Sequence, residues 1–216
     1  MKFNKLLIAI PFLVLIHLSL LISIMSNGTE MIKLFPIILL ASCFIIGFFH
    51  KPIDTRFATY STIVYLSSFA LQAVGVNTGA IFGQFFYGNN LGFIVFDTPL
   101  ITGLLWLVLS YGSSITVEFI LLKIATTIHP ILKALLASFV ILVLVFLLEN
   151  IAGPLDFWYW KYQTAPLQNY TAWFVFSLAF NFLFQKLEID ATNKIALWYM
   201  LIITTFLSAL NIMPIA

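Results

Sequence analysis

The chain has 216 residues, of which 62% are hydrophobic and 8% are charged, whereas about 25% of the residues in a soluble domain usually carry charge. This composition excludes a disordered chain, a disulfide scaffold and an ordinary soluble enzyme. The 10 basic and 8 acidic residues offer no basic surface for nucleic acid. Cys43, the only cysteine, cannot form an internal disulfide or a multi-thiolate metal site. We therefore predict a single integral-membrane domain over residues 1–216.

Apolar stretches predict membrane-spanning helices along the whole chain. A helix needs about 20 mostly apolar residues to cross the hydrocarbon core. The runs here are continuous rather than alternating, which favours helices over the strands of a barrel. The fold class is therefore all-α, a polytopic membrane helix bundle of about seven transmembrane helices. The predicted spans are Leu6–Met25, Leu34–Phe49, Phe57–Val74, Phe93–Tyr111, Ile131–Leu148, Thr171–Lys186 and Ile195–Met213.

The distribution of basic residues predicts how the bundle is oriented. Cytoplasmic loops are enriched in Lys and Arg. With the N-terminus inside and the C-terminus outside, only Lys33 and Lys161 lie on the outer side. The others lie on the cytoplasmic side: Lys2, Lys5, Lys51, Arg56, Lys123, Lys133, Lys186 and Lys194. The predicted location is the cytoplasmic (inner) membrane, with multiple passes.

The stretch Gly112–Pro130 mixes Ser, Glu, Lys and His with apolar residues. This mixture predicts a helix that lies at the cytoplasmic interface. An eighth span is the alternative, and it would reverse the orientation of every later helix. Within the first span, the lone His17 is predicted to be a hydrogen-bonding contact inside the bundle.

Two long loops lie on the predicted outer side. Gly75–Gly92 contains five glycines together with Asn77, Thr78 and Tyr87, and glycines at this density indicate tight turns or close backbone approach. Asn150–Tyr170 is rich in aromatic residues, which would also be expected of an interfacial aromatic belt.

Three acidic residues occur at the same outer level. Asp97 and Glu149 border the fourth and fifth helices, and Asp156 lies in the aromatic loop. Acidic groups near hydrocarbon tend to face a cavity or a partner. A protonated carboxyl beside aromatic faces combines a proton donor with a wall that stabilises cations. No His or Cys pair has metal-ligand spacing, so we expect no metal.

The two loops and the segment between them resemble the carotenoid hydratases of the bisanhydrobacterioruberin hydratase and γ-carotene 1′-hydroxylase type. The resemblance extends from Gly75 to Trp173, about half of the chain. Its motifs are GVNTGAIFGQFFYG with a following LG, the P-x-I-x-G-x-x-W stretch Pro99–Trp106, LDFWYW and PLQNYTAW.

The resemblance implies that water is added across the 1,2 double bond of an acyclic carotenoid end group, without a cofactor. An acid would protonate carbon 2, aromatic faces would stabilise the tertiary cation at carbon 1, and water would attack it. The expected catalytic acids are Glu149, Asp156 and Asp97. The expected substrate contacts are Gln72, Asn77, Thr78, Tyr87, Trp106, Trp158, Trp160, Asn169 and Trp173. The implied partners are a carotenoid or other polyisoprenoid lipid, membrane lipids and membrane proteins.

The chain departs from the family pattern at four positions. Gln72 and Val145 stand where the family has acids, Leu105 replaces an Asn, and Phe85 replaces a Tyr. Two readings therefore stay open: an active hydratase, or a non-catalytic relative that binds a polyisoprenoid or forms part of a membrane complex. A transporter is disfavoured because intramembrane charge is scarce and no inverted repeat is visible.

Overall fold

A computed structural model describes residues 5–213. Helices dominate the described chain and confirm the all-α membrane bundle and each of the seven predicted helices. In chain order they are α1 (Leu6–Asn27), α2 (Phe35–Phe49), α3 (Thr55–Thr78), α4 (Ile101–Lys123), α5 (Pro130–Ala152), α6 (Leu167–Lys186) and α7 (Lys194–Ile212). Lys2, which contributes to the predicted charge distribution, lies outside the described residues.

Within residues 5–213, six helices are long and apolar enough to cross a membrane, so the protein is a multi-pass membrane protein. The second of these spans, predicted to be short, is lengthened to 21 residues by a 3-10 helix at Thr29–Leu34 that precedes α2. The exception is α6, a helix of 20 residues whose apolar character is lowered by polar side chains such as Asn169 and Asn181. The passage of α6 through the membrane stays a prediction.

The predicted start of the fourth span at Phe93 is wrong, because Phe93–Leu100 forms a small hairpin. Strands β2 (Ile94–Val95) and β3 (Thr98–Pro99) pair antiparallel. The turn between them places Phe96 and Asp97 at positive φ, a conformation that cannot continue a helix. Pro99 also disfavours the helical conformation at the residue before it.

The predicted interfacial helix in Gly112–Pro130 is also wrong, because its first twelve residues continue α4 to Lys123. The polar side chains at the start of this stretch, those of Ser113 and Ser114, face the bundle rather than the membrane surface. Ser113 and Ser114 are fully buried. A Cβ on Gly112 would lie 2.5 Å from the sulfur of Met200, so glycine allows α7 to approach closely. The described residues contain no eighth α-helix.

Helix α4 is the centre of the bundle. It contacts α2, α3, α5, α6 and α7, and it is the most buried of the six candidate spans. One polar cluster joins it to its neighbours: Asn181 of α6 accepts from Ser114 at 2.8 Å and from Ser113 at 3.3 Å. The same amide donates to Ser138 of α5 at 3.2 Å. Buried hydrogen bonds of this kind hold membrane helices together.

His17 is buried in α1, and its Nδ1 lies 2.8 Å from the carbonyl oxygen of Leu13. Its ring meets Tyr199 and Phe206 of α7 edge to face. The predicted contact of His17 within the bundle is confirmed, but it is made by ring packing against α7, because the hydrogen bond of His17 stays within α1.

Both long loops lie at one end of the bundle, which we call the loop end. Here α3 and α5 finish and α4 and α6 begin. Strand β1 (Phe85–Tyr87), from the glycine-rich loop, pairs antiparallel with β4 (Trp158–Trp160), from the aromatic loop. We call this two-stranded pair the ribbon. It brings side chains more than seventy residues apart in sequence into direct register, Phe85 opposite Trp160 and Tyr87 opposite Trp158.

Candidate active site at the loop end

The ribbon is fixed to the bundle by a turn around Asp156. The backbone N–H and the side-chain amide of Asn89 both donate to Asp156 Oδ2 at 3.1 Å, and the Tyr159 hydroxyl donates to Oδ1 at 2.9 Å. The Gly88 N–H donates to the Phe157 carbonyl at 2.9 Å. A Cβ on Gly88 would lie 2.2 Å from Asp156 Oδ1, so only glycine permits this approach.

Asp156 is therefore an anchor for the two loops. Partial burial opposes its ionisation, but the hydrogen bonds from Asn89 and Tyr159 outweigh that effect and lower the pKa of Asp156. The carboxylate form that these donors favour cannot donate a proton. Asp156 does not line the cavity described below, and the structure gives it a structural role.

Asp97, Asn77 and Thr78 are also placed away from the cavity. Asp97 is exposed at the tip of the β2–β3 hairpin. Asn77 donates to the carbonyl oxygens of Ala73 and Phe96 at 2.9 and 3.2 Å, which fastens the end of α3 to the hairpin. The Thr78 hydroxyl bonds to backbone within the last turn of α3. Asn77 thus positions the hairpin, and the structure brings none of these three side chains to Glu149.

Glu149, in the last turn of α5, receives three hydrogen bonds from the aromatic loop and α6. Trp160 and Trp158 donate their indole N–H groups to Oε2 at 2.8 and 3.1 Å. Asn169, in the first turn of α6, donates to Oε1 at 2.6 Å. A carboxylate offers about four lone-pair sites, and these donors occupy three. The remaining site, on Oε1, has no partner within residues 5–213.

Glu149 lines a small cavity of about 30 Å³. A water molecule needs about 10–15 Å³ measured in this way, so the cavity has room for one or two waters. Eight of the predicted site residues surround it, and four do not: Asp97, Asp156, Asn77 and Thr78. The eight are Gln72, Tyr87, Trp106, Glu149, Trp158, Trp160, Asn169 and Trp173.

Two stacked indoles form one wall of the cavity. The rings of Trp106 and Trp173 lie 3.7 Å apart between centroids and are tilted by only 4°. Trp106 is 1% exposed, and its indole N–H is buried with no hydrogen-bond partner among residues 5–213. Buried polar groups usually have a partner. An unpaired donor beside a water-sized cavity is therefore available to a bound water or ligand.

Gln72 and Tyr87 form a neutral pair at another wall. The Tyr87 hydroxyl donates to Gln72 Oε1 at 2.7 Å. Burial, and then the neighbouring Glu149, raise the pKa of Tyr87, so the hydroxyl keeps its proton. The amide of Gln72 accepts this hydrogen bond but cannot release a proton itself. Glu149 is thus the only carboxyl among the described cavity-lining residues.

Sequence reasoning missed several lining residues. Phe35 and Leu39 reach the cavity from α2, and no sequence pattern marked them. Thr102 lies inside the P-x-I-x-G-x-x-W stretch and could have been found there; its hydroxyl donates to the Pro99 carbonyl at 2.8 Å. Within residues 5–213, no group of three or more His, Cys, Asp or Glu side chains could hold a metal ion.

Comparison with known proteins gives one family. The family model described as carotenoid biosynthesis protein matches residues 29–215, which include every helix from α2 to α7 and all the residues that line the cavity. No curated protein and no solved structure matches the chain.

Proposed function

The chain belongs to the carotenoid biosynthesis protein family, and we propose that it is a carotenoid 1,2-hydratase that acts through Glu149 as general acid. The observation that carries this proposal is the arrangement of Glu149: one carboxyl, three N–H donors, one free oxygen site and aromatic walls around a water-sized cavity. Asp97 and Asp156 are not part of the proposed acid machinery, because neither lines that cavity.

The first step transfers a proton from Oε1 of protonated Glu149 to carbon 2 of the substrate. The π electrons of the 1,2 double bond form the new C–H bond, which leaves carbon 1 as a tertiary cation and Glu149 as a carboxylate. The N–H groups of Trp158, Trp160 and Asn169 stabilise this developing negative charge. A positioned general acid typically contributes about a hundredfold to ten-thousandfold.

The second step adds water to the cation. The water oxygen forms a bond to carbon 1, and the proton it loses returns to the Glu149 carboxylate, so the acid is regenerated. The indole faces of Trp106 and Trp173 provide the electron-rich surface that stabilises a cation in such a site. The free N–H of Trp106 is a donor that can hold the attacking water. No electrons enter or leave, so the reaction needs no redox partner.

The proposed substrate reaches this site from the membrane. The cavity of about 30 Å³ has space for water but not for an isoprenoid end group. Binding therefore requires lining side chains to move apart, and Phe85 and Trp160 of the ribbon are only half-buried. We place the protein in the cytoplasmic membrane with the loop end outside, as the basic residues predict.

A second candidate is a non-catalytic carotenoid-binding protein or subunit of a membrane complex. Two observations favour it. The cavity contains one carboxyl where the resemblance implies more than one, because Gln72 occupies an acid position. The cavity also has room for water only, and Val145, at the other lost acid position, is 1% exposed and does not line it.

Expression in a host that accumulates acyclic carotenoids separates these candidates. Liquid chromatography with mass detection should find products that have gained one water, and Glu149→Gln should abolish the gain. Pigment that copurifies with the protein but gains no water would instead support the binding protein. A stable protein partner without pigment or product would support the complex subunit, and both outcomes would overturn the hydratase.

A further inference from the structure

A second apolar depression lies on the membrane-facing surface next to the cavity. It is a groove of about 330 Å³ between α2, α3 and α4. We call it the α2–α4 groove. Its lining includes Leu40, Phe44 and Gly47 of α2, Ser61 of α3, and Leu104 and Leu107 of α4. Leu40 and Phe44 are exposed, so the groove is open to the hydrocarbon region.

The α2–α4 groove is lined by the same three helices as this wall of the cavity, but further from the loop end. On α2, the cavity residue Leu39 and the groove residue Cys43 lie one helical turn apart on the same face. On α4, the cavity residue Leu105 and the groove residue Val108 likewise share a face. On α3, Gln72 faces the cavity and Ser61 faces the groove. A molecule that enters the cavity from the membrane can therefore remain in contact with these helices over its length.

Other apolar grooves of the described chain lack this continuity. One of about 320 Å³ lies between α1 and α7, and one of about 360 Å³ lies between α1 and α2. Neither contains a residue of α3 or α4, and neither α1 nor α7 contributes a side chain to the cavity. Ordinary lipid chains can fill all of these grooves, but only the α2–α4 groove shares three helices with the cavity.

The path from the cavity along the α2–α4 groove is long enough to hold a long apolar chain. From Phe35 at the cavity to Gly47 in the groove, α2 advances about 18 Å at 1.5 Å per residue. The hydrocarbon core is about 30 Å thick. The path therefore runs from the loop end into the middle of the bilayer. Its lining is mostly apolar, with Cys43, Ser61 and Tyr111 as the exceptions, as expected for a ligand without polar groups along its length.

We infer that the α2–α4 groove binds the polyisoprenoid tail of the ligand whose end group occupies the cavity beside Glu149. The inference rests on the proposed function for the chemistry of the end group. It adds the place where the long apolar tail binds, and a site that selects for that tail.

The test places a ring in the groove without touching the cavity. A Cβ on Gly47 meets no heavy atom within 4 Å, so Gly47→Phe fills open space. Leu107→Phe is a second blocking variant from α4. The matched control is Ala209→Phe, which fills the α1–α7 groove. Size-exclusion profiles and helical circular dichroism establish that each variant is folded.

Pigment retention is measured first, in the Glu149→Gln background, so that turnover does not affect it. The protein is purified from a host that makes an acyclic carotenoid, and pigment absorbance is divided by protein concentration. Gly47→Phe and Leu107→Phe should each lower this ratio at least fivefold, and Ala209→Phe should leave it unchanged. Equal pigment in all variants would overturn the inference, because the groove would then hold only membrane acyl chains.

Selectivity is measured next, in chains that retain Glu149. A short isoprenoid with the same terminal double bond should be hydrated at the same rate with or without Gly47→Phe. The long carotenoid should be hydrated at least fivefold more slowly by the variant. Equal losses for both substrates would overturn the inference. If no chain hydrates anything but the blocking variants alone lose pigment, the hydratase proposal fails and the tail site stands.

Discussion

Asn169 at the start of α6 donates a hydrogen bond of 2.6 Å to Oε1 of Glu149 at the end of α5. The two residues are separated by the whole aromatic loop, which returns the chain so that these helix ends meet. Because Trp158 and Trp160 of that loop fill Oε2, and Asn169 takes one site of Oε1, the free site lies on Oε1. The loop and α6 thus orient the one carboxyl of the cavity.

Glu149→Gln should abolish hydration, with a loss of at least about a hundredfold, because an amide cannot act as the proton donor. The measurement is product formation per mole of protein, by chromatography with mass detection. Glu30→Gln is the control: Glu30 is an exposed carboxyl on the 3-10 helix, and its replacement should leave the rate unchanged. A Glu149→Gln protein with wild-type turnover would contradict the proposal.

Gln72→Glu should raise the hydration rate by about tenfold, because it adds a second carboxyl to the cavity beside the Tyr87 hydroxyl. Gln72→Met has a similar length but no ionisable group, so it should give no gain. The same chromatographic assay compares the variants at equal protein concentration. A rate that does not rise with the added acid would count against a second acid at this wall of the cavity.

Val145→Asp restores an acid at the second position where the family pattern has one, and it should destabilise the fold. Val145 is 1% exposed and does not line the cavity. A carboxyl there would be buried without a partner, at a cost of about 2 kcal/mol or more. Thermal unfolding in detergent measures the effect, and Val145→Ile serves as the apolar control. A Val145→Asp protein of unchanged stability would show that the cavity extends to this turn of α5.

Asp156→Asn should lower stability at neutral pH but not in acid. The pKa of Asp156 is lowered in the folded chain, so its contribution is present above the pKa of an unfolded Asp, about 3.9. That contribution is lost as the pH falls through the lower folded value. The difference in melting temperature between the two proteins should therefore narrow below about pH 4. A pH-independent difference would show that the charge of Asp156 does not anchor the loops.

Asn181→Ala should lower the free energy of unfolding by about 2 kcal/mol, since three hydrogen bonds between membrane helices are lost at about 0.6 kcal/mol each. Ser177→Ala is the control on the same helix: Ser177 is buried too, but its hydroxyl donates only to the Phe174 carbonyl of α6. Unfolding in mixed micelles compares the two variants. An equal loss of unfolding free energy in the two variants would mean that the hydrogen bonds of Asn181 to α4 and α5 do not stabilise the bundle.

The sequence predicted the helices well because the apolar runs are long and because, within lipid, the backbone N–H and C=O groups must hydrogen bond to each other. It failed where local patterns conflict. Phe93–Leu100 is apolar enough for a span, but the positive φ of Phe96 and Asp97 and the proline after Thr98 make it a hairpin. The polar residues after Gly112 suggested an interface, whereas Ser113 and Ser114 find partners on α6 inside the bundle.

By itself the sequence determined that the protein is a membrane helix bundle, and that Asp97, Glu149 and Asp156 lie at the same end as the glycine-rich and aromatic loops, because hydropathy and motif order are local properties. Only the tertiary structure showed that Glu149 lines the cavity and that Asp97 and Asp156 do not. All three lie near helix ends in sequence, but which of them enters the cavity depends on the ribbon pairing and on the approach of α2 and α6. Those contacts join residues far apart in the chain, and no single segment encodes them.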